Sequence, residues 1–322
     1  MLEVVDVDLK GAEPAGEGFA HTFLPGEITV VLGANQSGKT DLCRLIAGLN
    51  TRATGRVWLD RQEISQLDSR RRSVSMVYQA FINYPNLTVA QNIGSPLRAQ
   101  GIELPAREAR VADIAERLSI QDYLGRFPHE LSGGQQQRVA IARALAKQAR
   151  VLLLDEPLVN LDFKLREALE VELRDLLHAS NTVVVYTSSD PRDAFSLGDQ
   201  LLLLDGGKKL QSGKPIDVYR QPVDARAMGL LADPCINELK HEAREGALRP
   251  EHVFFADDLA LRGRSCIAFE LTVIACETNG DESFVHGEVE GAQWVMRCDG
   301  IRRPRLGSRV SVKALEQDVI WF

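Results

Sequence analysis

Residues 27–49 read EITVVLGANQSGKTDLCRLIAGL, an apolar β run, a glycine-bracketed turn and an amphipathic helix in direct succession. The turn from Gly33 to Thr40 has the form G-x-x-x-x-G-K-[ST], and the strand before it and helix after it are the context that spacing requires. Glycines let the backbone curl so that its N–H groups and the positive end of the helix face a polyphosphate. Lys39 adds a point charge, and the Thr40 hydroxyl offers an oxygen to Mg²⁺. The stretch from Gly33 through Ala34, Asn35, Gln36, Ser37, Gly38, Lys39, Thr40 and Asp41 is the expected cradle for the phosphates.

Further runs, at 151–154 (VLLL), 182–186 (TVVVY) and 200–204 (QLLLL), alternate with helical stretches such as 139–148 and 163–178. Continuous apolar strands separated by helices imply a parallel sheet covered on both faces, an α/β core. After about residue 235 the pattern changes to short alternating segments, FELTVIAC (269–276), SFVHGEV (283–289), AQWVMRC (292–298) and SRVSVKAL (308–315), with Asn279-Gly280 as a turn signal. This reads as a small antiparallel β-barrel spanning 236–322, after an α/β domain spanning 1–235.

The chain has 322 residues, 44% hydrophobic and 26% charged, with a formal charge of −7, the proportions of a folded globular protein of about two domains. Its apolar runs are far shorter than the roughly 18 residues of a membrane span. Met1-Leu2-Glu3 leads directly into apolar alternation without a basic or apolar leader, so a cytosolic chain is expected. The cysteines at 43, 235, 266, 276 and 298 form no C-x-x-C pair and are expected as packing residues.

Val151–Leu154 ends in Asp155-Glu156-Pro157, which places two acids at the carboxyl edge of a buried strand, where open α/β sheets bind ligands. Asp155 is expected to hold Mg²⁺ through water, and Glu156 to accept a proton from an attacking water. A second helix N-terminus is marked by Leu131-Ser132-Gly133-Gly134-Gln135 ahead of VAIARALAK (139–147). Ser132 with Gln135 three positions on fits a capping box. The two glycines leave backbone N–H groups open to an anion, so phosphate is again the expected ligand.

These motifs, in this order, resemble those of ABC-type ATPases, and the resemblance covers nearly the whole chain. LSGGQ (131–135) is similar to the family signature, so Ser132, Gly133, Gly134 and Gln135 are implied as nucleotide contacts. Gln79 in MVYQ (76–79) falls where the family has its Q-loop, which implies contact with Mg²⁺ and with the attacking water. Asn160-Leu161-Asp162 resembles the D-loop. The segment 81–98 would belong to a helical subdomain, about 80–150, that receives coupling helices of membrane subunits. In the tail, Leu248-Arg249-Pro250-Glu251-His252-Val253 and the closing RLGSRVSVKALEQDVIWF resemble the TOBE-type barrel of carbohydrate-importer ATPases of the maltose and glycerol-phosphate type. MVYQAFINYP, DEPLVNLDFKLR and YTSSDP are further similar to a subgroup associated with glycerol or polyol uptake.

The resemblance implies ATP and Mg²⁺ as cofactors, transmembrane permease subunits as partners and, through them, a solute-binding protein. It implies a position on the cytoplasmic face of the cell membrane. It also implies a dimer sandwiching two ATP molecules, each site joining one subunit's P-loop to the other's signature. One departure bears on that dimer: the Thr-His-Asp pattern that carries the family's switch histidine is matched by Thr187-Ser188-Ser189-Asp190, so Ser189 stands at the histidine position. A serine is shorter and does not titrate near neutrality. A non-identical ATPase partner is the pairing this suggests, and a homodimer is the alternative. Gln36 also replaces a frequent glycine, and Phe19 is a poor substitute for the adenine-stacking aromatic, which usually lies about twenty-three residues before Gly33. Two other readings stay open on the residues alone. One is a nucleotide-binding regulatory subunit, which the retained Glu156 opposes. The other is a nucleic-acid ATPase, opposed by the net charge and by a tail without a basic-aromatic face.

Overall fold

The structure, a computed structural model, describes residues 1–9, 18–49, 51–159, 163–178, 181–241 and 244–322. The D-loop-like Asn160-Leu161-Asp162 and the usual adenine-stacking position lie outside the described residues. The chain divides into two compact units, Met1–Ile216 and Asp217–Phe322. The division precedes the change of sequence pattern at 235 because two short helices, which read with the α/β part, fall wholly or mainly after it.

The first unit runs β1 (Leu2–Asp8), β2 (Phe19–Phe23), β3 (Ile28–Leu32), α1 (Lys39–Ala47), β4 (Thr54–Leu59), β5 (Gln62–Glu63) and β6 (Val74–Val77). It continues with α2 (Val89–Ala99), α3 (Leu104–Arg117), α4 (Gly133–Ala146), β7 (Val151–Asp155), α5 (Phe163–His178), β8 (Val183–Ser188), α6 (Pro191–Ser196), β9 (Gln200–Asp205) and β10 (Lys208–Gly213). A six-stranded sheet has the order β10-β9-β3-β8-β7-β6, parallel except for β10. β3 and β7 are buried at every position, as expected of strands covered on both faces. A second, antiparallel sheet has the order β2-β1-β4-β5. α1 lies between the two sheets: Leu42, Cys43 and Ile46 share one core with Leu2, Val4, Phe23 and Val57 of the antiparallel sheet and with Val31, Leu153 and Val185 of the parallel one.

α2, α3 and α4 pack on one another. Thr88 and Gln91 form a capping box on α2, and the buried Asn92 donates to Tyr84 O, Leu87 O and Thr88 O while accepting from Tyr84 N. This fixes the loop before α2. Arg143 of α4 pins the same loop by donating to Ile82 O and lying over the Tyr84 ring.

In the second unit, α7 (Pro215–Arg220), which spans the division, and α8 (Ala225–Leu230) precede β11 (Asn237–His241), β12 (Arg244–Leu248), β13 (Phe254–Phe255), β14 (Cys266–Thr278), β15 (Glu282–Val289), β16 (Ala292–Asp299), β17 (Arg309–Leu315) and β18 (Ile320–Trp321). Two antiparallel sheets, β11-β12-β18 and β13-β17-β14-β15-β16, curl around one core that includes Leu239, Leu271, Val285, Trp294, Met296 and Val312. The fully buried Asn237 joins them, donating to Val295 O at 2.8 Å and accepting from Val295 N at 2.7 Å. This is the small OB-like fold expected of the alternating tail.

Candidate active site

The loop from Gly33 to Gly38 leaves β3 at its carboxyl end and enters α1. Its glycines answer specific constraints. A Cβ on Gly33 would lie 2.3 Å from Leu204 O and 2.5 Å from Ser37 Oγ. Gly38 has φ +101, and a Cβ there would lie 2.8 Å from Leu9 Cδ1. Ala34, Asn35 and Gln36 are exposed, and Gln36 holds a left-handed φ of 66°. Asp41 sits in the first turn of α1, where its carboxylate accepts from the Thr51 hydroxyl at 2.9 Å.

Lys39 is only 5% exposed, and its ammonium donates to Gly33 O at 2.7 Å and Ala34 O at 2.9 Å. It also lies 3.3 Å from Glu156 Oε1. The parallel register places Asp155 beside Thr187 and Leu32 beside Ser188, so the ends of three strands meet at the P-loop. Thr40 Oγ1 donates to Asp155 Oδ1 at 3.0 Å and Thr187 Oγ1 donates to the same oxygen at 2.9 Å. The Thr187 hydroxyl in turn accepts from Glu156 N at 3.0 Å. Burial pushes the Asp155 carboxyl above its ordinary range; the Thr187 and Thr40 hydroxyls oppose this, and the Glu156 carboxylate adds to it.

Glu156 has a left-handed φ of 45°, an uncommon state that clusters at functional sites. Gln79, exposed just beyond β6, donates to Glu156 Oε2 at 3.3 Å. The structure thus brings Lys39, Thr40, Gln79, Asp155 and Glu156 together. Thr187, which holds both acids, was not among the expected site residues; its signal was a hydroxyl at the carboxyl end of a strand adjacent to Asp155.

Ser189 is exposed and shares a small crevice with Glu156, Tyr186, Arg166 and Asp193. The crevice is braced by Arg166, whose guanidinium reaches Glu170 at 2.8 Å, Asp190 at 2.9 Å and Asp193 at 2.5 Å. Sequence reasoning did not find this clamp. Phe19 is partly buried against the core between the sheets.

Ser132 caps α4, accepting from Gln135 N while Gln135 Oε1 accepts from Ser132 N, the capping box expected from the spacing. Ser132 and Gly133 are exposed, Gly134 is buried, and a Cβ on Gly133 would meet nothing within 4 Å. Among the described residues no hydrogen bond or ion pair joins Ser132, Gly133, Gly134 or Gln135 to the P-loop.

The family model described as ABC transporter matches residues 17–159, and the TOBE domain model matches residues 246–322. The sn-glycerol-3-phosphate import ATP-binding protein UgpC of Rhodopseudomonas palustris (strain BisA53) is 35% identical, over 92% of this chain and 90% of its own length. The protein of the same name from Rhizobium meliloti (strain 1021) is 33% identical over 100% of this chain and 97% of its own. Among solved structures, a dimeric post-hydrolysis state of the ATP-binding cassette MJ0796 bound to ADP and Pi superposes with a TM-score of 0.59 and 28% identity, covering 67% of this chain and 99% of that one. With the nucleotide-site geometry, these similarities establish that the chain belongs to the ABC transporter family as an ATP-hydrolysing subunit with a C-terminal TOBE domain.

Proposed function

We propose that this ATPase powers a membrane importer for a carbohydrate or polyol, the broad class that includes the sn-glycerol 3-phosphate named for its relatives. The observation that carries the catalytic part is the convergence of Lys39, Thr40, Asp155, Glu156 and Gln79 at one end of the parallel sheet. The residues fit Mg²⁺: Asp155 is a buried carboxylate met by the hydroxyls of Thr40 and Thr187, an all-oxygen donor set. Thr40 and Asp155 would hold the ion, with Gln79 beside them. When bound, Mg²⁺ supplies neutralisation of phosphate charge.

Gly33 through Asp41 present backbone N–H groups to the phosphates. Lys39, now spent on two loop carbonyls and Glu156, turns its ammonium to the β- and γ-phosphates. That frees the Glu156 carboxylate to orient the attacking water and take its proton, while Gln79 positions the same water. Attack is in line on the γ-phosphorus, and stabilisation comes mainly from fixed charges and donors.

Ser132, Gly133, Gly134 and Gln135 serve a second subunit's nucleotide. The open space around Gly133 supports this, because among the described residues nothing lies within 4 Å of a Cβ placed there. ATP binding favours the closed pair and hydrolysis reopens it, a bias transmitted to permease subunits through the segment 81–98. Ile82 and Tyr84 stand 57% and 50% exposed on that segment. The chain would work at the cytoplasmic face of the membrane and meet the solute-binding protein only indirectly. Among the described residues no helix is long and apolar enough to cross a membrane itself.

Ser189, set in the crevice beside Glu156 in place of a histidine, favours a second arrangement in which a different ATPase completes the pair. A mixture of Lys39→Ala and Ser132→Arg chains separates the two. Each variant alone is inactive, but a mixed pair of copies contains one intact composite site. Recovery of turnover on mixing supports pairing of identical chains, and no recovery, with wild-type turnover intact, removes the composite site from the account.

A further inference from the structure

A cleft of about 480 Å³ lies on the first unit at the opposite ends of the strands from the nucleotide site. Arg150, just before β7, and Thr182, just before β8, line it, whereas Asp155 and Thr187 lie at the far ends of those strands. Alternation sets its floor. Val74 and Met76 of β6 pack into the core around α1, so Ser75 faces the other way, paired in register with Leu152 of β7. On the facing side, Arg110, Ile114 and Arg117 fall on one stripe of α3.

Two of these groups lack a protein partner among the described residues, the buried Ser75 hydroxyl and the solvent-accessible Arg110. Ser75 is 5% exposed, and its hydroxyl is buried without a hydrogen-bond partner among the described residues, although buried polar groups are overwhelmingly paired. Arg110 is half-buried, and among the described residues no carboxylate lies within ion-pair distance of it. The other two guanidiniums are engaged, Arg117 with Asp113 at 3.1 Å and Arg150 with Asp60 at 2.8 Å. The remaining surface is mixed: Ile114, Leu145, Leu152 and Leu176 supply apolar walls, while Asp113, held by Arg117, and Gln148 add polar groups. The volume is that of ordinary small-molecule sites.

We propose that this cleft binds a small organic oxyanion, a carboxylate or phosphate monoester carried on a partly apolar body. The oxyanion sits on Arg110, whose planar fork suits either group. The carbon body packs on the leucines and Ile114, and the Ser75 hydroxyl donates to a polar atom of the body. The cleft is bordered by α3, the end of α4 and the β6–β7 edge of the sheet. This site is independent of the nucleotide reading, because none of its lining residues is among those assigned to the nucleotide site.

The test is titration calorimetry on the full chain saturated with ADP, so that the P-loop is filled. Para-hydroxybenzoate, phenyl phosphate and inorganic phosphate are titrated in separate arms. At least one organic oxyanion is expected to bind more tightly than inorganic phosphate, and the tighter arm identifies the headgroup. Arg110→Ala is expected to weaken that binding by about tenfold or more, with ADP affinity retained as evidence of folding. Ser75→Ala, which removes an unpaired hydroxyl and keeps the backbone, is expected to weaken it as well and serves as the deciding variant if Arg110→Ala does not fold. Binding of neither organic probe, equal binding of inorganic phosphate, or affinities unchanged in the variants would overturn the proposal.

Discussion

Gln36 shows how one residue departs from the expected loop without destroying it. Its φ of 66° lies where a Cβ costs about 1–2 kcal/mol, partly offset because glycine loses more chain entropy on folding. Gln36→Gly is therefore expected to raise stability by about 0.5–1 kcal/mol in urea unfolding. Thr187 is the opposite case, a residue whose single hydroxyl serves Asp155 and Glu156 together. Thr187→Val should lower stability by about 1–3 kcal/mol, since it leaves Glu156 N–H without its partner. Turnover should fall with it while ATP still binds, a split that equilibrium binding and phosphate release measure side by side. The P-loop and the Asp155-Glu156 pair were legible because contiguous spacing carries their chemistry. Thr187 and the Arg166 clamp were not, because both depend on the register of β7 against β8 and on the approach of α5, which no local pattern specifies.

Among elements, β2 carries a pH dependence. Alternation puts Phe19, His21 and Phe23 on one face, and His21 packs edge-on to Phe23 with its Nε2 buried and, among the described residues, without a hydrogen-bond partner. Burial, helped by the Lys209 ammonium, lowers the His21 pKa from 6.5 to about 4. The folded chain thus keeps the ring neutral while the unfolded chain protonates it below about 6.5, so stability is full above that value and falls as pH drops toward 4. The loss across the window is about 3 kcal/mol at most. His21→Leu should flatten the pH dependence of denaturant unfolding between those values, and an unchanged slope would remove His21 as its cause. The strands of the parallel sheet were legible as continuous apolar runs, and those of the tail as alternation. The joining of the tail's two sheets through Asn237 was not, because a buried asparagine looks like any turn residue until its strand neighbours are known.

At the scale of the molecule, the proposed function assigns this chain two halves of a phosphate site, and no hydrogen bond or ion pair among the described residues joins them. Lys39, Asp155 and Glu156 form one; Ser132 and the unobstructed Gly133 form the other. The proposed composite site would account for both the capped, exposed helix end and the unobstructed Gly133. The order of the motifs suggests this division from the sequence, but the chain's partner is not encoded in any spacing, because it is a property of a surface. The most direct test is ATP turnover of the purified chain with Mg²⁺ over a range of protein concentrations, beside a Glu156→Gln control that retains ATP binding. The account predicts specific turnover that climbs with concentration as pairs form and vanishes in the control. Turnover per chain independent of concentration, or undiminished in Glu156→Gln, would contradict it.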